Sequence, residues 1–155
     1  MEANNLYSSA IDITSELYKP LIEELIKHNI CYIIAPYEAD VQLAYLSRNH
    51  LVDLVITQDS DSLAYGCSKV LFKMDSSGNG DEICFDSVFQ CTEMPIKNFS
   101  QEMFLYLCIL SGCDYLSNPP QLGMKRLCPF VEKGKTPDRI LQYLQLEGGV
   151  PVTDE

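Results

Sequence analysis

The stretch Pro36–Asp61, PYEADVQLAYLSRNHLVDLVITQDSD, decides the fold. It holds two acidic pairs, Glu38/Asp40 and Asp59/Asp61, and each closely follows an apolar run, Cys31–Ala35 and Leu54–Thr57. Runs rich in Ile and Val and bounded by turn-formers read as buried strands. Between the pairs, QLAYLSRNH places Leu43, Ala44 and Leu46 on a short helix. Strand, helix, strand predicts a βαβ unit with its strands parallel. Both pairs then meet at the carboxyl ends of neighbouring strands, where open α/β sheets hold their sites. Four carboxylates converging there repel one another unless a cation neutralises them. Oxygen donors of this kind select a hard cation, Mg2+ or Mn2+.

The chain has 155 residues, a one-domain length, and 46% apolar residues, enough for a core. A net charge of −11 argues against a general nucleic-acid or membrane binder, while leaving room for a local basic patch. Seven cysteines, at 31, 67, 84, 91, 108, 113 and 128, include no CxxC. Their odd count and scatter suggest reduced core residues rather than a disulfide framework or a zinc site, which fits a cytosolic or nuclear compartment. No signal peptide and no span of membrane-crossing length is present, so no membrane association is expected.

Either side of the central stretch, the pattern predicts the other elements. Residues 6–28 read as a helix that Pro20 kinks or restarts, with Asn29 at C′. His28 reads as a helix-end residue near the dipole rather than a ligand. The first strand is expected over Ile30–Ala35 and the second over Asp53–Thr57. Glu38 falls at or just before the start of the next helix, and Asp40 in its first turn. Acids there also suit a helix dipole, and the pair can share a cation only if Glu38 is still in the entering loop. If QDSDS is extended, Asp59 and Asp61 project to one side; Asp and Ser clusters are equally ordinary in turns. Lys69–Met74 and Glu82–Phe85 read as strands, joined at Asn79-Gly80 as a short hairpin. DSSGNGD partly matches a calcium loop, but Asp86 stands where that loop has Glu and its flanks read as strands. Residues 87–99 read as irregular. Ser100 caps a helix running to Leu110, and Ser111-Gly112 delivers Asp114 into a turn, as a fifth carboxylate or a plain cap. Two short helices follow, about Leu122–Val131 and Pro137–Leu144. Lys125, Arg126, Lys133, Lys135 and Arg139 cluster there against Glu132 and Asp138 only. A solvated face accounts for that cluster, and so does a phosphate-contacting helical hairpin; the concentration of charge favours the hairpin. Glu147–Glu155 reads as a frayed tail.

APYEADVQLAYL, ITQDSDSLAYG, VLFKMD with its GNG turn, and LSGCDYL together resemble the internal nuclease region of the flap endonuclease/XPG family. The resemblance implies a partial PIN-like α/β fold: a central, mostly parallel sheet with a β-hairpin, then a helix–two-turn–helix. Residues 1–116 would be the internal nuclease region, 117–146 the DNA-binding segment and 147–155 a flexible tail. Metal ligands are implied at Glu38, Asp40, Asp59, Asp61 and Asp114, for two Mg2+ or Mn2+ ions. Contacts to DNA are implied at Gln121, Gly123, Lys125, Arg126, Lys133 and Lys135, with a K+ ion at the turn. The implied activity is 5′→3′ exonuclease or flap endonuclease cleavage of DNA with a 5′ end or flap, in nuclear mismatch repair and recombination, with repair proteins as further partners.

Three departures qualify these expectations. The family has an N-terminal nuclease region ahead of the point where this sequence starts, so weak metal binding and little activity of this chain alone are expected. The family-like TED reads Thr57-Gln58-Asp59, and the family's Gly-x-Gly reads Gln121-Leu122-Gly123. The alternative is a nuclease-derived module that binds duplex DNA or a repair partner without catalysis. A third reading, an aspartyl-nucleophile phosphatase, is weak because Leu63 ends the nearest DxDx[TV] match.

Overall fold

A computed structural model describes residues 14–119 and 121–149, apart from the side chains of Ser15 and Leu17. It divides into two units, one ending at Pro36 and one beginning at Tyr37.

The first unit contains helix α1, Ser15–Lys27. The expected helical residues 6–13 lie outside the described residues. Pro20 sits inside α1 without restarting it, although a proline beyond the first turn removes a ladder bond and crowds the carbonyl four residues back. Asn29 takes the left-handed conformation expected of C′, at φ 53°. The Asn29 N–H donates to Ile26 O (3.0 Å) and the Ile30 N–H to Leu25 O (2.8 Å), which satisfies the last carbonyls as a Schellman motif. The expected strand over Ile30–Ala35 is not formed: the run has no ladder partners among the described residues, and Tyr32, Ile33 and Ile34 are exposed. A strand is defined by pairing, and apolar composition cannot supply the neighbour.

In the second unit α2 spans Ala39–Arg48, β1 Val55–Ile56, α3 Asp61–Ala64, β2 Lys69–Phe72, β3 Asp81–Cys84 and α4 Phe85–Val88. Helices α5 (Gln101–Leu110), α6 (Met124–Gly134) and α7 (Pro137–Leu146) complete it. The sheet has the order β1-β2-β3. β1 lies parallel to β2, with Val55 opposite Val70, and β2 antiparallel to β3, with Val70 opposite Ile83. The parallel crossover therefore runs from β1 through α3 to β2, one unit later in the chain than the sequence suggests. The β2–β3 hairpin forms, but Asn79-Gly80 is not a two-residue turn. Residues 73–80 make a longer loop, in which Lys73 (φ 52°) and Gly78 (φ 83°) take the left-handed conformation. Asp75 organises it by accepting from the Ser77 and Asn79 N–H groups and from the Asn79 amide.

Two cores form. Ala44, Val55, Cys67, Val70 and Phe72 are buried between α2 and the sheet. There the Ser47 hydroxyl meets both the Ser68 hydroxyl (3.1 Å) and the Ser68 N–H (3.0 Å), so the buried serine is satisfied. The larger core takes Met103, Leu107 and Leu110 from α5, Leu127, Cys128 and Val131 from α6, and Ile140 and Leu144 from α7. Phe89 and Phe104 pack against the larger core and, with Phe85, meet edge-on with ring centroids 5.3 to 6.0 Å apart. Ser100 caps α5 as its sequence suggests, its hydroxyl accepting from the Met103 N–H at 3.2 Å.

Gly134 ends α6 against α7, where an added Cβ would lie 2.7 Å from the Ile140 backbone nitrogen. Gly134→Ala must push the helices apart and is expected to cost about 1–3 kcal/mol. Gly123 has nothing within 4 Å of such a Cβ, so Gly123→Ala should cost less than about 1 kcal/mol, the difference between cap residues. Urea denaturation of both variants checks this ordering.

Candidate metal centre

Glu38, Asp40, Asp59, Asp61 and Asp114 all line one cleft of about 510 Å³, with Tyr65, Cys108 and Tyr115 among its other walls. Three chain segments bring them there. Glu38 is the N-cap of α2, with an extended backbone (φ −82°, ψ 144°), and Asp40 lies in the first turn. Glu38 is thus still in the entering segment, the one arrangement in which the pair can face a common ion.

Asp59 and Asp61 reach the cleft differently from the extended arrangement expected of them. Ser60 is helical in backbone, and Asp61 is the first residue of α3. The chain turns here because Asp59 Oδ1 accepts from the Asp61 N–H (3.0 Å), the short-range bond that makes Asp a turn-former. Thr57 Oγ1 accepts from the Asp59 N–H (3.1 Å), and the buried Ser62 hydroxyl donates to Asp59 O (2.9 Å). Thr57 and Ser62 therefore hold the loop from either side. The turn and metal readings of DSD coexist, since the bond to Asp61 uses Oδ1 of Asp59.

Asp114 follows α5 through Gly112, whose φ of 107° only glycine adopts readily. The Cys113 N–H donates to Leu116 O (2.9 Å) and the Leu116 N–H to Cys113 O (3.2 Å). That bridge closes a turn with Asp114 and Tyr115 at its tip. The Tyr115 hydroxyl donates to Glu38 Oε1 at 2.6 Å.

The cleft wall carries no Lys, Arg or His among its described lining residues. Its electrostatics follow. Partial loss of water raises the Asp61 pKa, and repulsion by Asp59, Asp114, Asp40 and Glu38 raises it further. The Tyr115 hydroxyl is pushed up to about 12, first by its bond to Glu38 and then by the Glu38 charge. It remains a donor throughout the neutral range. The sequence had signalled neither Tyr115 nor Tyr65; the available hint was that Tyr115 adjoins Asp114.

As the side chains are posed, no three His, Cys, Asp or Glu among the described residues stand close enough to hold an ion between them. The donor set still suits a hard divalent cation. It is all carboxylate, carries unneutralised negative charge, and shows that repulsion in Asp61. Mg2+ keeps several waters and binds through one or two carboxylates, so a closed protein cage is not its requirement.

The expected DNA-contacting residues lie elsewhere, around α6. Gln121 has φ 65°, a left-handed conformation that a residue with Cβ enters at a cost of about 1–2 kcal/mol. Its carbonyl accepts from Arg126 Nη1 at 3.1 Å, which helps to hold the turn. Gly123 is the N-cap of α6. Lys125 and Lys135 are exposed. Lys133 is engaged: its ammonium pairs with Glu147 and lies 4.1 Å from the centre of the Tyr143 ring. Among the described residues no helix is long and apolar enough to cross a membrane.

Comparison with known proteins places this cleft in context. The XPG I-region family matches residues 29–114. Exonuclease 1 of Oryza sativa subsp. japonica is 43% identical over 139 residues, covering 90% of this chain and 17% of that protein. Flap endonuclease-1 from Methanococcus jannaschii has a similar fold, with a TM-score of 0.69 and 25% identity over 87% of this chain and 41% of its own. The catalytic core of Rad2 in complex with DNA substrate gives a TM-score of 0.67 and 26% identity over 88% of this chain and 45% of its own. The chain spans about a fifth of the length of the curated relatives it matches. The matched segment contains all five carboxylates of the cleft and more than half of the sequence, so the chain belongs to the XPG I-region family.

Proposed function

We propose that this chain is the internal part of a divalent-metal-dependent DNA nuclease, a 5′→3′ exonuclease or flap endonuclease working in mismatch repair and recombination in the nucleus. The observation that carries the reading is one cleft gathering Glu38, Asp40, Asp59, Asp61 and Asp114 with no Lys, Arg or His among its described lining residues. The likeness to proteins named Exonuclease 1 and to a Rad2 core bound to DNA substrate supports it. The five carboxylates would hold two Mg2+ or Mn2+ ions, directly or through water. Bound there, such ions supply positive charge for the attacking and leaving oxygens of a phosphodiester. The chain's own part is to keep the carboxylates convergent. Thr57, Ser62 and the 113–116 turn do so by holding the loops that carry them. Lys125, Arg126 and Lys135 would contact duplex phosphates through salt-dependent, sequence-independent attraction. Lys133 would have to leave Glu147 to join them.

A non-catalytic, DNA-binding or partner-binding module is the second reading. One observation favours it: no three of the candidate ligands are posed to share an ion.

Three outcomes test the proposal. Calorimetry should detect Mn2+ binding to the wild type, and Asp59→Ala/Asp61→Ala should reduce it at least tenfold; equal binding by both proteins refutes the shared site.

Asp61 gives a pH signature. Its folded pKa is raised, so its contribution to stability is full below the ordinary aspartate pKa and is lost as pH rises through the raised value. Its place at the start of α3 favours the charge by only about 0.3–1 kcal/mol, and the upward shift means that repulsion and desolvation outweigh this. Without metal, Asp61→Asn should therefore melt higher than wild type at neutral pH. The gap should close below the ordinary aspartate range, as thermal melts across pH would record.

Gln121→Gly should relieve the left-handed strain, tighten duplex binding and restore a preference for K+ over Na+. Fluorescence anisotropy in matched KCl and NaCl series measures it. A wild type that already prefers K+ would show that the turn tolerates Gln121.

A further inference from the structure

We propose that Tyr115 is a positioning residue that orients the Glu38 carboxylate for a divalent cation. The inference rests on the metal reading given under Proposed function and adds a residue to it. Glu38 is the N-cap of α2, yet its side chain makes no capping bond to the helix. Nothing local therefore holds a long, exposed side chain with several rotatable bonds. The hydrogen bond that does hold it comes from 77 residues away, where Tyr115 Oη donates to Oε1 at 2.6 Å.

The donor is itself well placed. Tyr115 shares with Asp114 the tip of the turn closed between Cys113 and Leu116. One bond thus ties the segment carrying Asp114 to the segment carrying Glu38 and Asp40 across the mouth of the cleft. The bond occupies Oε1 and leaves Oε2 to meet an ion. A neutral hydroxyl suits this role because it sets the plane of the carboxylate and leaves its charge in place, whereas a lysine would cancel the attraction for a cation. Tyr115 is 78% exposed, so it adds little to the core, and removing the hydroxyl spares the fold. Partners of this kind, bonded to a ligand rather than to the metal, typically contribute 10–100-fold to metal affinity.

The test is Mn2+ calorimetry, with thermal melts in parallel, on wild type, Tyr115→Phe, Glu38→Gln and the double variant. Tyr115→Phe should melt as wild type does and bind Mn2+ about tenfold more weakly. In the Glu38→Gln background the same change should have no further effect, because Tyr115 acts through Glu38. Wild-type affinity in Tyr115→Phe overturns the proposal while the metal site stands. An undiminished loss in the Glu38→Gln background overturns it too, since Tyr115 would then act by another route. A lower melting temperature with unchanged Mn2+ affinity marks the bond as a structural tie alone and likewise overturns it. If the wild type takes up no Mn2+, the metal reading itself fails and this inference falls with it.

Discussion

Helix α5 has to bury two faces at once, and the rest of the second unit is arranged around that constraint. Its sequence, QEMFLYLCIL, is apolar nearly all round, and a helix of that composition is unstable unless covered on most sides. Met103, Leu107 and Leu110 are covered by α6 and α7, and Phe104 by the aromatic residues of the β3–α4 segment. Leu105, Cys108 and Ile109 face the cleft and supply its apolar floor. The same helix that closes the larger core therefore sets the back wall of the acidic site. It also launches Gly112 and the turn bearing Asp114 and Tyr115.

That coupling accounts for the electrostatic state of the cleft. A low-polarity wall beside clustered carboxylates reduces their solvation while their charges repel, and both effects push the Asp61 pKa in the same direction. Burial in the same setting pushes the Cys108 thiol up to about 11, so it lines the cleft as a neutral, unreactive side chain. The carboxylates are therefore the groups available for chemistry there. The short loops that carry them are held by hydroxyls, from Thr57, Ser62 and Tyr115, rather than by cations. Hydroxyls fix geometry without neutralising charge, which leaves the negative charge of the cleft in place.

The helical segment beyond the cleft has a different balance. Its positive charge is partly offset within the protein by Glu147, which pairs with Lys133, whereas Arg126 keeps its charge while one of its N–H groups donates to the Gln121 carbonyl. Lys125, Arg126 and Lys135 are exposed cations of the cluster without a carboxylate partner among the described residues. Gln121 in a left-handed conformation adds a local strain that a glycine there would avoid. The basic cluster read from composition is thus real as a count of charges and smaller as a free surface.

Much of this was legible in the sequence because the signals are local. Ser100 as a cap, Asn29 in a left-handed turn and the α5 helix each follow from a few neighbouring residues, and the structure contains all of them; the β2–β3 hairpin forms too, but around an eight-residue loop, 73–80, instead of the short Asn79-Gly80 turn. The five carboxylates and the membership of the XPG I-region family were readable for a related reason: several short motifs stand in order, and each keeps its own local form. Tertiary structure decided what depends on partners. The Ile30–Ala35 run carries strand composition but no described neighbour to pair with, so composition could not make it a strand. Asp61 begins a helix for a reason that is instead local, since the Asp59 carboxylate and the Ser62 hydroxyl close the chain into the turn that Asp and Ser clusters also favour. Lys133 gave up its free charge to a residue 14 positions away, and Tyr115 found Glu38 across 77. Side chains that distant meet only when the intervening chain has packed, and no local pattern encodes that meeting.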